Sequence, residues 1–237
     1  MATAAADRTL VAETLGRCRL FDRLEPGSVD AVTDALRSRR FRHGEVIFHA
    51  GDPGDALFIV ARGSVKILVP AEDGAEPAIL TTIGPGGFFG ELALLDGGAR
   101  SATAVAMDAV EALVLHRDPF DKLMDGDPRI RRALLAALAR EIRRLTAQLE
   151  DLHFLDLPER LISHLLRQIA AGAPSRSSGE VRLAWPYTQG ELAGMIGGSR
   201  QSVNRLLADF VAQGLLRFDH DELVIPEPRR LAEAVRR

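Results

Sequence analysis

Between Ile130 and Leu152 the apolar residues fall at Leu135, Leu138, Ile142, Leu145, Leu149 and Leu152, with spacings of three, four, three, four and three. This is a heptad seam, with Leu135, Ile142 and Leu149 at one core position and Leu138, Leu145 and Leu152 at the other. A helix with so narrow a stripe cannot bury it alone, and a second copy of the chain is the simplest partner. Arg131, Arg132, Arg140, Arg143 and Arg144 lie off the seam beside Glu141, Glu150 and Asp151, which keeps the other faces wet. A single amphipathic helix packed on its own domain fits the same pattern, because the run is only just long enough to read as a coiled coil.

The pattern changes on either side of this helix. Residues 8–40 read as helical, with Leu10, Val11, Leu15, Leu20, Phe21 and Leu24 on apolar faces and Pro26 restarting a helix through Val29, Val32 and Leu36. From Arg42 to His116 come short alternating runs, among them Val46–Phe48, Leu57–Val60, Val65–Val69, Ile79–Ile83 and Val110–Leu115. Glycines such as Gly44, Gly63, Gly84 and Gly90 separate them, which predicts a barrel or jelly roll of short strands. Asp118–Met124 reads as a short helix that Asp127-Pro128 ends. Beyond the seam, His153–Asp156 marks a hinge before a second amphipathic helix at Pro158–Ala171. The breaker-rich Gly172–Gly179 reads as an exposed loop, Val181–Trp185 as a strand, and Leu215–Phe218 with Leu223–Ile225 as a small hairpin.

With 46% hydrophobic and 27% charged residues over 237 positions, the chain has the composition of a folded protein of one or two domains. It has no membrane-length apolar run and no secretory signal pattern, so the expected location is the cytoplasm, with no membrane partner. Cys18 is the only cysteine. It excludes an internal disulfide and leaves too few thiolates for a zinc ribbon or an iron–sulfur cluster, so its expected role is a small buried apolar residue. No metal site is expected, and the spacing of His43, His49, His116, His153, His164 and His220 does not support a haem ligand. The net charge is −3, but the segments 1–128, 129–155 and 156–237 carry −7, +3 and +1, so any contact with nucleic acid must be local.

That local contact is legible at Thr188–Gln213. Thr188-Gln189-Gly190-Glu191 is a capping box, which starts a helix; Gly197-Gly198 supply a left-handed turn, and Ser199 caps a second helix. Two short helices around a glycine turn describe a helix-turn-helix. At about 100° per residue, Arg200, Gln201, Asn204 and Arg205 share one side of the second helix, while Val203, Leu206, Leu207 and Phe210 share the other. A recognition helix presents such a polar face to the major groove, where Arg200 and Arg205 would pair with guanine, Gln201 would read adenine or bridge bases, and Ser202 would bind a phosphate. A solvated polar face on an ordinary helix is the competing reading.

A second candidate site lies at Gly84–Val105. Phe88–Leu95 ends a glycine-rich strand and opens a short helix, which directs the amides of Gly90, Glu91, Leu92 and Ala93 toward an anion. Arg100-Ser101-Ala102-Thr103 follows. A carboxylate accepts from sugar hydroxyls and a guanidinium forks a phosphate, so Glu91 with Arg100 describes a phosphorylated ribose. A buried Glu91–Arg100 ion pair that only holds the loop is the alternative. No nucleophile with its base and no metal cluster accompanies the site, so the chain does not read as an enzyme.

In this order, Gly51–Val60 with Gly63, the Gly90–Leu95 to Thr103 cassette, the seam helix and Gly197–Arg205 resemble the CRP/FNR family of bacterial transcription regulators over nearly the whole chain. The resemblance implies an α+β protein: a cyclic-nucleotide-binding β-roll (jelly roll) at 1–128, a long dimerisation helix at 129–155, and a C-terminal winged helix-turn-helix at 156–237. It implies a homodimer that regulates transcription by reading a palindromic operator in double-stranded DNA, gated by a cyclic nucleotide. Glu91 would hold the ribose 2′-hydroxyl, and Arg100 and Ser101 the cyclic phosphate. In cAMP-responsive members the dimer helix offers adenine a Thr and then a polar residue, where this chain has Leu145 and Thr146. Leucine cannot hydrogen-bond the adenine amine, which leaves open another nucleotide, cyclic di-GMP, or a ligand-independent DNA-binding protein. Gln201 stands where the family has an acidic reader, and Gly172–Gly179 occupies the region that some relatives use to touch RNA polymerase.

Overall fold

The computed structural model describes residues 4–5, 8–21, 26–70, 77–170, 175–177, 179–185 and 187–234. The chain forms two units, residues 1–70 with 79–143, and residues 144–237 with 71–78.

The first unit runs β1 (Ala4–Ala5), α1 (Arg8–Arg17), α2 (Pro26–Ala35), β2 (Arg37–Phe41), β3 (Val46–Phe48), β4 (Ala56–Arg62), β5 (Val65–Val69), β6 (Ala78–Ile83) and β7 (Phe88–Phe89). It continues with α3 (Glu91–Asp96), β8 (Thr103–Ala106), β9 (Val110–His116), α4 (Arg117–Gly126) and the start of α5 (Pro128–Phe154). Two antiparallel sheets make the roll, ordered β1-β2-β9-β4-β7 and β3-β8-β5-β6. Successive side chains of a strand point to opposite faces, and in β4 and β9 both faces are buried. Ala56, Phe58, Val60, Val110, Ala112 and Val114 fill the space inside the roll. Their neighbours Leu57, Ile59, Leu113 and Leu115 pack outward with Val11, Leu15 and Cys18, the last fully buried as its solitary status suggests. Ile130 and Leu134 bring the first turns of α5 into that same outer core.

The seam residues of α5 fare differently. Leu138 is partly buried against the outer core, whereas Leu135 and Ile142 are 67% and 65% exposed, and Leu145, Leu149 and Leu152 are also exposed. The helix therefore does not cover its stripe by packing on its own unit.

The second unit continues α5 through Phe154 and adds α6 (Leu157–Ala170), β10 (Ser175–Ser177), β11 (Glu180–Ala184), α7 (Gln189–Ile196), α8 (Arg200–Ala212), β12 (Arg217–Asp219), β13 (Glu222–Ile225) and α9 (Pro228–Glu233). The chain breaks between α5 and α6 at the expected hinge. There the Asp156 carboxylate accepts from the Glu159 amide and the Glu159 carboxylate from the Asp156 amide, both at 2.9 Å. Leu161, Ile162 and Leu165 of α6 close over Leu192, Ile196, Val203 and Phe210 of the helix pair and Val181, Leu183 and Leu223 of the sheet.

Two expectations change. The stretch read as helical to residue 40 turns into β2, whose Arg37 to Phe41 pair antiparallel with Val114 to Val110. Its arginine-rich sequence has little strand character of its own; the β9 edge supplies the ladder, and Glu111 accepts from both Ser38 and Arg40. The supposed loop Gly172–Gly179 contains β10, which pairs with β11 from Ser175↔Arg182 to Ser177↔Glu180. The remainder of that loop, 172–174 and 178, lies outside the described residues, as do Leu24 and Pro186.

Candidate ligand pocket and DNA-reading helices

Arg100 is the centre of the first site. It is 6% exposed, a rare degree of burial for an arginine. Its Nη1 donates to the Gly90 carbonyl at 2.7 Å and its Nη2 to the Ala56 carbonyl at 2.9 Å. The guanidinium carbon lies 4.3 Å from the centroid of Phe48, one of a cluster that includes Phe58 and Phe89. Its buried Nε has no hydrogen-bond partner. The Glu91–Arg100 ion pair weighed as an alternative is thus replaced by a fork onto two main-chain oxygens. Burial in this apolar setting lowers the Arg100 pKa from its ordinary value, while Asp55, Glu91 and Asp52 pull it back up.

The backbone around Arg100 is shaped to that guanidinium. Gly90 takes φ 82°, and a Cβ there would sit 2.6 Å from Arg100 Nη1. A Cβ on Gly54 would sit 2.3 Å from the Ala93 Cβ and 3.0 Å from Arg100 Nε. The Gly51 amide donates to the Arg100 carbonyl and the Arg100 amide to the Asp52 carbonyl, which ties the Gly51–Gly54 turn to the Arg100 backbone. Glu91 opens α3, half-buried beside Arg100. Burial raises its pKa above the ordinary carboxylate value, its own backbone hydrogen bond lowers it, and the charge of Glu141 raises it further. Ala93 is buried, Leu92 is 42% exposed, and Ser101 is exposed next to Arg100. Thr146 is exposed on α5 and belongs to the second unit.

Arg117 is a residue that sequence reasoning missed. It donates to the carbonyls of Ala93 and Leu94 at the end of α3 and to that of Gly54, at 2.9, 3.1 and 3.0 Å. One side chain at the start of α4 thereby pins both the short helix and the glycine turn. No local pattern marks it, because its partners are 23 to 63 residues away.

In the second unit the helix pair forms as its caps dictate. Thr188 Oγ accepts from the Glu191 amide at 3.2 Å, and the Glu191 carboxylate accepts from the Thr188 amide at 2.8 Å. Gly197 closes α7 in the left-handed region at φ 68°, and Ser199 Oγ accepts from the Ser202 amide at 3.1 Å. Val203, Leu206, Leu207 and Phe210 are buried, while Arg200, Gln201, Ser202, Asn204 and Arg205 are exposed. Arg200, Gln201 and Arg205 have no partner among the described residues, whereas the hydroxyl of Ser202 meets that of Ser199 at 2.9 Å. Asn204 is also engaged: its Oδ1 accepts from Gln189 Nε2 at 2.9 Å. The wing, β12 and β13, turns at His220 with φ 54°. Its carboxylates Asp219 and Glu222 are both bound by Arg182 at 2.9 Å, which offsets charge that would repel a phosphate backbone.

Two family models match the chain, a cyclic nucleotide-binding domain over residues 38–127 and a Crp-like helix-turn-helix domain over residues 159–234. A CRP-like cAMP-activated global transcriptional regulator of Mycobacterium tuberculosis is 38% identical over 224 residues, covering 94% of this chain and 99% of the relative. The cyclic AMP receptor protein of Thermus thermophilus is 33% identical, over 90% of this chain and 95% of its own. Among solved structures, a CRP/FNR-family transcriptional regulator from Thermus thermophilus superposes with a TM-score of 0.67 at 27% identity, covering 84% of this chain and 98% of that one. The family regulates transcription by binding DNA and is not a family of enzymes. A β-roll built around a buried arginine and a capped helix pair with a polar reading face are therefore the two halves of one architecture, and the chain belongs to the CRP/FNR family of transcription regulators.

Proposed function

We propose that this regulator works as a cytoplasmic homodimer whose affinity for a palindromic operator is set by a cyclic nucleotide bound at Gly90–Ala93 and Arg100. The buried Arg100, forked onto Gly90 and Ala56 with its Nε unpartnered, carries this reading. A buried guanidinium held by main-chain oxygens rather than by a carboxylate is suited to fork a cyclic phosphate. Glu91 beside it accepts from the ribose 2′-hydroxyl, Ser101 donates to the phosphate, and the amides of Leu92 and Ala93 line the same end of α3.

cAMP is the first candidate, since it is the nucleotide in the names of the relatives at 38% and 33% identity. Leu145, apolar and 40% exposed, favours a second reading in which the base is not adenine. The uncovered stripe from Leu135 to Leu152 supports pairing with a second copy through α5. In that dimer two α8 helices reach major grooves about 34 Å apart, as a two-fold operator requires. A ligand shifts such an arrangement only through its different affinity for the two states. The Gly172–Gly179 segment is the proposed contact for RNA polymerase.

Calorimetric titration of the purified protein with cAMP, cGMP and cyclic di-GMP, with Arg100→Ala as control, tests the sensor. Saturable binding that the variant loses is expected. Absence of binding by all three nucleotides, together with full DNA affinity in their absence, would overturn the gated reading in favour of a ligand-independent regulator.

A further inference from the structure

The reading face of α8 is not assembled from α8 alone. Gln189, the first residue of α7, donates from Nε2 to Asn204 Oδ1 at 2.9 Å, across a sequence separation of 15. Asn204 lies one turn beyond Arg200, on the same polar stripe. The pair lines a groove of about 410 Å³ together with Leu192, Leu207, Ala208 and Val211, of which Leu192 and Leu207 are buried. The start of α7 is itself held by the Thr188–Glu191 box, which keeps the Gln189 backbone from swinging away.

A carboxamide has a donor end and an acceptor end, and which of them faces the groove decides what it reads. Free asparagine pairs bidentately with adenine, using both ends on N6 and N7. Here the acceptor end is drawn toward Gln189, so the Nδ2 amine is what remains to be presented. We propose that Gln189 is a specificity-positioning residue: through this hydrogen bond it holds the Asn204 oxygen toward α7 and leaves the Nδ2 amine to read the DNA, selecting a base that displays an acceptor in the major groove. Guanine, with N7 and O6, thymine, with O4, and adenine, with N7, can each accept from it; cytosine, which offers only its N4 amine, cannot. This inference rests on the DNA-reading role of α8 proposed above.

The experiment is selection of bound duplexes from a random DNA library by the full-length protein, alone and with cAMP, cGMP or cyclic di-GMP, followed by sequencing. It is run on the wild type and on Gln189→Ala, Asn204→Ala, the double variant and Gln189→Glu. A wild type that enriches no two-fold site under any of these conditions would refute the DNA-reading role itself. With a wild-type site in hand, Gln189→Ala should lose preference at one position per half-site by about 5- to 10-fold. Asn204→Ala should relax the same position, and the double variant should lose no more than either single one. Gln189→Glu gives the sharper result, because a carboxylate cannot donate to Oδ1 and instead accepts from Nδ2. It should turn the amide and move the preference toward cytosine, the one base whose major-groove edge only donates. A Gln189→Ala profile that matches the wild type at every position, or a uniform loss of affinity on all sequences, would overturn the proposal.

Discussion

Arg100→Lys separates what Arg100 does for the fold from what it does for a ligand. The guanidinium satisfies two main-chain carbonyls, Gly90 at 2.7 Å and Ala56 at 2.9 Å, the second of them in a buried bond. A lysine ammonium keeps the charge but is a single point on a shorter stem, so it cannot hold both oxygens at once. Leaving one buried acceptor unsatisfied costs about 1–3 kcal/mol. For a chain of this length each kcal/mol moves the melting temperature by about 2–4 °C, which predicts a fall of about 2–12 °C without ligand. The proposed fork onto a cyclic phosphate would be lost as well. Taking about 1.5–3 kcal/mol for a hydrogen bond to a charged group, cAMP affinity should drop roughly 10- to 150-fold. Differential scanning fluorimetry of the ligand-free protein measures the first effect and calorimetric titration the second. An unchanged melting temperature would refute the structural role derived from the two carbonyls, and unchanged cAMP affinity would refute the phosphate role.

Three further outcomes follow from other parts of the molecule. Ile142→Asp with Leu149→Asp places charge on the uncovered stripe, where each side chain buried against its twin is worth about 1.5–3 kcal/mol; sedimentation should show a dimer become a monomer, and a variant that stays dimeric would locate the interface elsewhere. Thr188→Ala removes the capping box and should destabilise the second unit by about 1 kcal/mol, seen as an earlier urea transition, with nucleotide binding unchanged. His164 is held neutral by burial and then by the charge of Arg167, with its pKa lowered from 6.5 to about 4. Because the unfolded chain takes up this proton first, its contribution is complete above about pH 6.5 and is lost as pH falls toward 4. The loss reaches about 3 kcal/mol, and a His164→Gln variant should show a shallower dependence of its urea midpoint on pH across that window.

Periodicity and capping are local rules, and where the fold obeys local rules it was legible in advance. The α5 seam, the Thr188 box, the Gly197 turn and the Ser199 cap each depend on residues within a few positions, so the helix-turn-helix and its polar face could be laid out residue by residue. The alternating runs of β4 and β9 predicted strands for the same reason. The cassette residues were also recognisable, because glycine, carboxylate and arginine stand at characteristic spacings.

Tertiary structure decided whatever required a distant partner. Arg37–Phe41 carries no strand pattern of its own and becomes a strand because β9 offers an open edge; Ser175–Ser177 does the same against β11. Glu91 with Arg100 described a phosphorylated-ribose site, with an ion pair as the alternative; neither reading foresaw the Ala56 and Gly90 carbonyls that hold the guanidinium. Arg117 acquired its role only when folding brought Gly54, Ala93 and Leu94 to one point. Asn204 belonged to a reading face by helical angle, yet the end of its amide left to read with was set by Gln189 on another helix. One sequence thus determined by itself which segments curl and which surfaces are apolar or polar, since those follow from neighbours along the chain. The orientation of each hydrogen-bonding group was decided in three dimensions, because a donor or acceptor is directed by whatever folding places opposite it.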